Sequence, residues 1–159
     1  MVETALAILA LAGGPPVDIG AAARRLAPAG ARIVLAQERS WDRAVAAWDD
    51  GRRVTAAPLA WRDRAWHRSG GAGVTIAFTR PRIRGRRVYE EVHVTMRRPT
   101  LDDAVWLDGK PADTLFFPGP TRGELAVIAT KLRPGRHVFV AYAAIDGAAV
   151  ARALAFTVR

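Results

Sequence analysis

The sequence predicts a mainly β protein in which a short helical segment precedes an antiparallel sandwich or barrel. Beyond residue 52, apolar and polar residues alternate with a period of two, which is typical of strands buried on one face. Two Asp-Gly turns, Asp108-Gly109 and Asp146-Gly147, separate such runs and indicate tight hairpins. With 159 residues, half of them apolar, the chain is long enough to bury the core of one domain.

Residues 1–51 are predicted to form the N-terminal helical segment. An apolar run at residues 5–12 is either a short helix or the core of a signal peptide, although Glu3 stands where a signal peptide carries positive charge. Asp18 is placed to cap a second helix over residues 21–26.

Two further elements are predicted in this segment. Residues 32–37 are branched and apolar, which indicates a short strand or a buried connection. Ser40 is a good N-cap, and Trp41, Val45 and Trp48 follow it at helical spacing, so we expect a third helix before residue 51.

Residues 52–159 are predicted to form the β domain. Alternation is clearest over residues 88–96, where Glu90 and Glu91 must point to opposite faces of one strand and so cannot act on one bond together. On the last strand, Leu154 and Phe156 share an apolar face. The predicted strands cover residues 54–61, 74–78, 88–96, 103–107, 125–130, 137–145 and 150–158.

The positive charge is concentrated in the middle third of the chain. The net charge is +9, and residues 51–100 alone carry twelve arginines against three acidic residues. Guanidinium groups bind phosphate, sulfate and carboxylate, and a neighbouring tryptophan adds stacking capacity. The candidate anion-binding residues are Arg80, Arg82, Arg84, Arg86, Arg87 and Trp66. The alternative is a solvated, arginine-rich loop.

The residue inventory argues against most catalytic and metal chemistry. The chain has no cysteine, and its three histidines lie far apart without metal-ligand spacing. Its two serines suit a helix cap and a glycine-rich loop, and no nucleotide-binding or hydrolase motif occurs. We therefore expect no catalytic residues, no metal site and no cofactor. No apolar run is long enough to span a membrane.

Three stretches near the C-terminus resemble bacterial immunoglobulin-like domains. They are VWLDGKPAD at residues 105–113, ATKLRPGRHVFVAYAAIDG at 129–147 and ALAFTVR at 153–159. The resemblance implies an immunoglobulin-like antiparallel β-sandwich over residues 52–159, a fold that hosts many binding roles. It also places His137 where the family often has a tyrosine that ties a corner to nearby backbone.

These observations predict a non-enzymatic structural or binding module. We expect a subunit of a larger assembly, such as a cell-envelope complex or a phage particle, with other protein subunits as partners. An extracytoplasmic or virion location is favoured over the cytoplasm. The alternative is an anion-binding protein whose arginine-rich segment contacts nucleic acid or acidic polysaccharide.

Overall fold

The computed structural model describes residues 18–112 and 132–159, together with the backbone of residues 114–118 and 122–129. The helix or signal peptide expected at residues 5–12 lies outside the described residues. One helix, α1 (Ile19–Leu26), precedes thirteen described strands. Numbered along the chain, the strands are β1 (Arg32–Ser40), β2 (Arg43–Asp49), β3 (Val54–Arg62), β4 (Ala65–Arg68), β5 (Val74–Phe78), β6 (Arg82–Arg84), β7 (Arg87–Met96), β8 (Asp102–Leu107), β9 (Lys110–Pro111), β10 (Thr114–Pro118), β11 (Arg122–Ala129), β12 (Gly135–Ile145) and β13 (Ala148–Val158).

The strands form three antiparallel sheets. The N-terminal sheet has the order β1-β2-β3-β4, so each strand pairs with the next along the chain. The central sheet has the order β13-β12-β8-β9. The outer sheet has the order β10-β11-β7-β5, with the short β6 paired to β7. The mainly β fold class predicted from the sequence is therefore confirmed.

The central sheet lies between the other two sheets. Its odd-numbered side chains on β12, such as Phe139 and Ala141, join the valines of β5 and β7 in one apolar cluster. Its even-numbered side chains, such as Val140 and Tyr142, join Leu35, Val45 and Ala47 in a second cluster. The central sheet therefore has an apolar layer on each of its two faces.

Helix α1 covers the remaining face of the N-terminal sheet. Asp18 caps it, because its carboxylate accepts hydrogen bonds from the backbone N–H groups of Gly20 and Ala21. Ala22 and Ala23 are buried, and the indole of Trp48 donates to the Ala23 carbonyl at 2.9 Å. The second helix predicted from the sequence is thus confirmed. No described helix is long and apolar enough to cross a membrane.

The predicted third helix is wrong, because residues 43–49 form strand β2. Every residue from Ala44 to Asp49 is buried, since α1 covers one face of β2 and the central sheet covers the other. A strand with two covered faces shows no alternation, and alanine-rich sequence has high helix propensity. Trp41, assigned to the helix's apolar face, lies in the β1–β2 turn and is 68 % exposed.

Two arginine–aspartate pairs join the N-terminal sheet to the central sheet. Arg136 on β12 donates to both carboxylate oxygens of Asp49 on β2, each at 3.0 Å. Arg39 on β1 makes a second bidentate pair, with Asp102 on β8, at 2.8 and 2.5 Å. A Cβ at Gly109 would lie 2.8 Å from the Val34 carbonyl oxygen, which is too close for any side chain. The turn can therefore pack this closely against β1 only with glycine at this position.

We predict that Phe156→Ala lowers the free energy of unfolding by about 3–5 kcal/mol. Phe156 is buried in the layer between the central and outer sheets and stacks on Phe139 at 4.9 Å. The neighbouring Thr157 is exposed, so Thr157→Ala is the matched control. Urea unfolding measures both; a loss below about 1 kcal/mol for Phe156→Ala would show that β13 contributes little to the core.

Candidate anion-binding hairpin

Strands β6 and β7 form the hairpin that carries most of the candidate arginines. Arg84 lies opposite Arg87, and Arg82 lies opposite Tyr89. Gly85 provides the turn between them, with a φ of +60° that favours glycine. The hairpin therefore brings residues that are apart in sequence onto one small surface.

The side chains of the hairpin divide between two faces. Along β7, Val88, Glu90 and Val92 are buried on the face toward the central sheet. Residues 87, 89, 91 and 93 alternate with them and point away from it. Because paired residues share a face, Arg82 and Arg84 lie on this outer face as well.

The charges on the outer face are only partly balanced. Arg82 donates to Glu91 at 2.9 Å, and His93 lies 3.7 Å from the same carboxylate. Arg84 and Arg87 are directly opposite each other and both exposed, an unfavourable cross-strand arrangement of like charges. Within the described part of the chain, neither of them has a side-chain partner. An anion between these two guanidinium groups would relieve the repulsion.

The remaining candidate arginines flank this pair. Arg80 and Arg86 are exposed, and neither forms an ion pair with a described residue. Ile83, at 39 % exposure, adds an apolar side chain to the hairpin. The structure thus places the five predicted arginines in one hairpin and the loop that precedes it.

Trp66 does not belong to this site, and its inclusion was wrong. Its side chain is 0 % exposed and packs edge-on against Trp61, with ring centroids 5.5 Å apart. It lies in β4 of the N-terminal sheet, on the face covered by α1, and the central sheet lies between it and the outer sheet. Tyr89, opposite Arg82, is the aromatic residue that the strand register brings to the hairpin.

Glu90 lies behind the hairpin in the core, a burial that the sequence analysis did not predict. It is 2 % exposed; Oε1 accepts from the Thr79 hydroxyl at 3.3 Å, and Oε2 has no hydrogen-bond partner within the described structure. Burial, with a smaller effect of the Glu91 charge, raises the pKa of Glu90 to about 7. The predicted opposite orientation of Glu90 and Glu91 is confirmed.

His137 forms the corner contact that the resemblance implies. Its Nε2 lies 2.7 Å from the Arg133 carbonyl oxygen, and its Nδ1 lies 2.7 Å from a carboxylate oxygen of Asp108. Burial acts to lower the pKa of His137, but these two contacts and the Asp108 charge raise it overall. Because both partners accept hydrogen bonds, the geometry favours the doubly protonated ring. His137 is thus hydrogen-bonded to nearby backbone, as expected for this position.

We also searched the described residues for metal-ligand clusters and for clefts with a nucleophile. No group of three or more histidine, aspartate or glutamate side chains among them is placed to hold a metal ion. A cleft of about 280 Å³ lies between β3 and the start of β13 and contains Trp61, Arg43 and Ser69. No histidine lines it, so Ser69 has no imidazole base there.

Comparisons of this chain with protein-family models, with curated proteins and with solved structures give no significant match.

We predict that Glu90→Gln removes a pH dependence of stability. The folded protein holds a proton on Glu90 up to about pH 7, whereas the unfolded chain releases it near the ordinary value of 4.5. Stability therefore falls as pH rises through this range, and the neutral amide avoids this fall. At pH 8 the variant should be more stable by about 2–3 kcal/mol, with little difference at pH 4.

Urea unfolding between pH 4 and pH 8 measures this effect, and Glu91→Gln on the exposed face is the matched control. Equal slopes for Glu90→Gln and the natural protein would contradict a buried, protonated Glu90.

Proposed function

We propose that residues 74–158 form an immunoglobulin-like sandwich. This is shorter than the 52–159 expected from the sequence, because β3 and β4 belong to the N-terminal sheet. Immunoglobulin domains place strands A, B, E and D in one sheet and strands C, F and G in the other. The outer sheet, β10-β11-β7-β5, matches the order D-E-B-A if β5 is strand A, β7 is B, β10 is D and β11 is E. The central sheet, β13-β12-β8-β9, matches G-F-C-C′ if β8 is C, β9 is an added strand C′, β12 is F and β13 is G. The position of His137, near the start of the strand equivalent to F, supports the same assignment.

This assignment also identifies which surfaces remain for a partner. The outward face of the G-F-C sheet is covered by the N-terminal sheet, and α1 covers that sheet in turn. Both faces of the central sheet therefore pack against other parts of the same chain. The outward face of the outer sheet, together with loops, hairpins and strand edges, is left for contact with a partner.

We infer that the protein is a non-enzymatic binding module that acts as a subunit of a larger assembly, for example in a cell envelope or a phage particle. The observation that carries this proposal is the arginine hairpin on the outer sheet. Its exposed Arg84 and Arg87 face each other without a described carboxylate between them, on a strand anchored by buried Val88 and Val92. An acidic surface on another protein subunit would supply the missing charge.

Binding of nucleic acid or acidic polysaccharide is the second candidate function. It is favoured by the density of guanidinium groups, because each phosphate or sulfate contact releases counterions. The two candidates differ in their response to salt: polyanion affinity falls steeply as salt rises, and a packed protein interface responds weakly.

We predict that Arg84→Ala/Arg87→Ala abolishes partner contact without destabilising the fold. Exposed charges contribute little to stability, so the unfolding midpoint should be unchanged or slightly higher after the like-charge pair is removed. Arg52→Ala/Arg53→Ala, at exposed positions in the β2–β3 turn, is the control with the same change in charge.

The measurement is crosslinking in the native host from a photoreactive residue in place of Ile83. The proposal predicts a discrete protein adduct that the hairpin variant loses and the control keeps. Adducts with nucleic acid alone, together with single-stranded DNA binding that falls steeply with salt, would favour the second candidate. Adducts that both double variants retain would rule out the hairpin as the contact element.

A further inference from the structure

The cleft of about 280 Å³ at one end of the N-terminal sheet has no role in the proposed function. One wall is formed by the start of β2 and the end of β3, a second by the connection at residues 69–70, and a third by the turn from β12 into β13. The arginine hairpin belongs to the outer sheet, beyond the central sheet. The cleft is therefore a separate surface.

The walls of the cleft are held in place by backbone contacts. The Trp61 N–H donates to the Asp42 carbonyl at 2.9 Å, which joins the β1–β2 turn to the end of β3. A Cβ at Gly71 would lie 2.6 Å from the Cβ of Ala148, so the connection after β4 packs directly on the start of β13. A cleft fixed in this way is formed before a ligand arrives, so binding costs less ordering free energy than at a mobile site.

Two arginine side chains reach the cleft from one face of the N-terminal sheet. Arg43 lies two residues before Val45, which packs toward the central sheet, so both point to that side of β2. Ala60 on β3 lies opposite Arg43, and Arg62 follows two residues later on the same face. Both arginines line the cleft.

The charges of these two arginines are not neutralised by the protein. Within the described part of the chain, the side chains of Arg43 and Arg62 form no ion pair and no hydrogen bond. Arg43 is half-buried and Arg62 is exposed, so one guanidinium group lies deeper in the cleft than the other. Guanidinium groups bind carboxylate and phosphate through paired, charge-assisted hydrogen bonds. The pair therefore favours an anionic ligand.

A carboxylate in the same cleft restricts that ligand further. Asp42 lines the cleft and accepts a hydrogen bond from the Ser40 hydroxyl at 2.8 Å. A bare anion would be repelled by Asp42, whereas a hydroxyl group of the ligand can donate to it. Ser69 adds a hydroxyl group that both donates and accepts. The Trp61 ring packs edge-on against Trp66 on the α1 side, so it faces away from the two arginines.

We propose that this cleft binds a small hydroxylated anion, a sugar acid or a sugar phosphate. Its anionic group would lie between Arg43 and Arg62, and its hydroxyl groups would donate to Asp42. The volume of about 280 Å³ is near the lower end of the range for ligand pockets, so the ligand is a single small molecule. This chemistry differs from that of the hairpin, which we propose contacts a macromolecule.

The first test is an NMR titration of the ¹⁵N-labelled full chain with glucuronate and with glucose 6-phosphate. The proposal predicts that at least one of them shifts the backbone amides of Ser69, Gly70 and Gly147, and the preferred probe distinguishes carboxylate from phosphate. Glucose, which has only the hydroxyl groups, and acetate, which has only the charge, should bind at least about tenfold more weakly.

The second test removes the charges of the cleft. Arg43→Gln/Arg62→Gln keeps two long polar side chains and should raise the dissociation constant of the preferred probe by at least about tenfold. Arg52→Gln/Arg53→Gln, at exposed positions before the other end of β3, is the matched control and should bind normally. Thermal unfolding verifies the fold of both variants.

Asp42→Ala tests the second half of the site. Loss of the carboxylate should weaken binding of the preferred probe and strengthen binding of acetate, because a hydroxyl acceptor and a repulsive charge are removed together. A variant that merely disturbs the cleft would weaken both.

The hairpin double variant should bind the probes like the natural chain, so failure of one proposal leaves the other standing. Three results would overturn the cleft proposal. They are the absence of amide shifts in the cleft with either anionic probe up to about 10 mM, equal affinity for glucose and the anionic probes, and equal losses in the two arginine variants.

Discussion

Strand β12 has eight consecutive buried residues, Val138 to Ile145, because both faces of the central sheet are covered. Odd-numbered side chains fill the layer toward the outer sheet, and even-numbered ones fill the layer toward the N-terminal sheet. Burial of apolar area in these two layers is the main favourable contribution to the stability of such a structure. Without the N-terminal sheet, the even-numbered face, including Val140 and Tyr142, would be exposed to water.

The covering of the central sheet by the N-terminal sheet also explains a buried charge between them, that of Asp49 on β2. Asp49 is almost completely buried, and its carboxylate accepts from Arg136 across the layer, from Arg32 and from the Gly51 backbone. The hydrogen bonds from Arg136 are the main cause that lowers the pKa of Asp49 to about 2, while burial acts in the opposite direction. A buried charge is tolerated only when it is paired in this way, so the pair favours one alignment of the two sheets.

Much of the fold could be predicted from the sequence, and the wrong third helix has a physical cause. Strands buried on one face, such as β7, show alternation and were predicted nearly to the residue. β2 is buried on both faces and rich in alanine, so its pattern fits a helix as well as a strand. Local sequence carries no information on what covers a second face.

The candidate site was predictable to a similar extent. The arginines were found from their density, and alternation already placed Glu90 and Glu91 on opposite faces of one strand. The pairing of Arg82 with Glu91 and the opposition of Arg84 and Arg87 required the register of the β6–β7 hairpin. The burial of Trp66 depends on α1 and on contacts distant in sequence, so composition alone pointed to the wrong aromatic residue.

Native-state hydrogen exchange tests most directly whether the three sheets depend on one another through the central sheet. The account predicts that hydrogen-bonded amides of β2, β7 and β12 exchange with one common free energy, equal to that of global unfolding. If the amides of β2 instead exchange at a clearly lower free energy, with their own denaturant dependence, the N-terminal sheet opens alone. That result would contradict the claim that enclosure of the central sheet holds the molecule together.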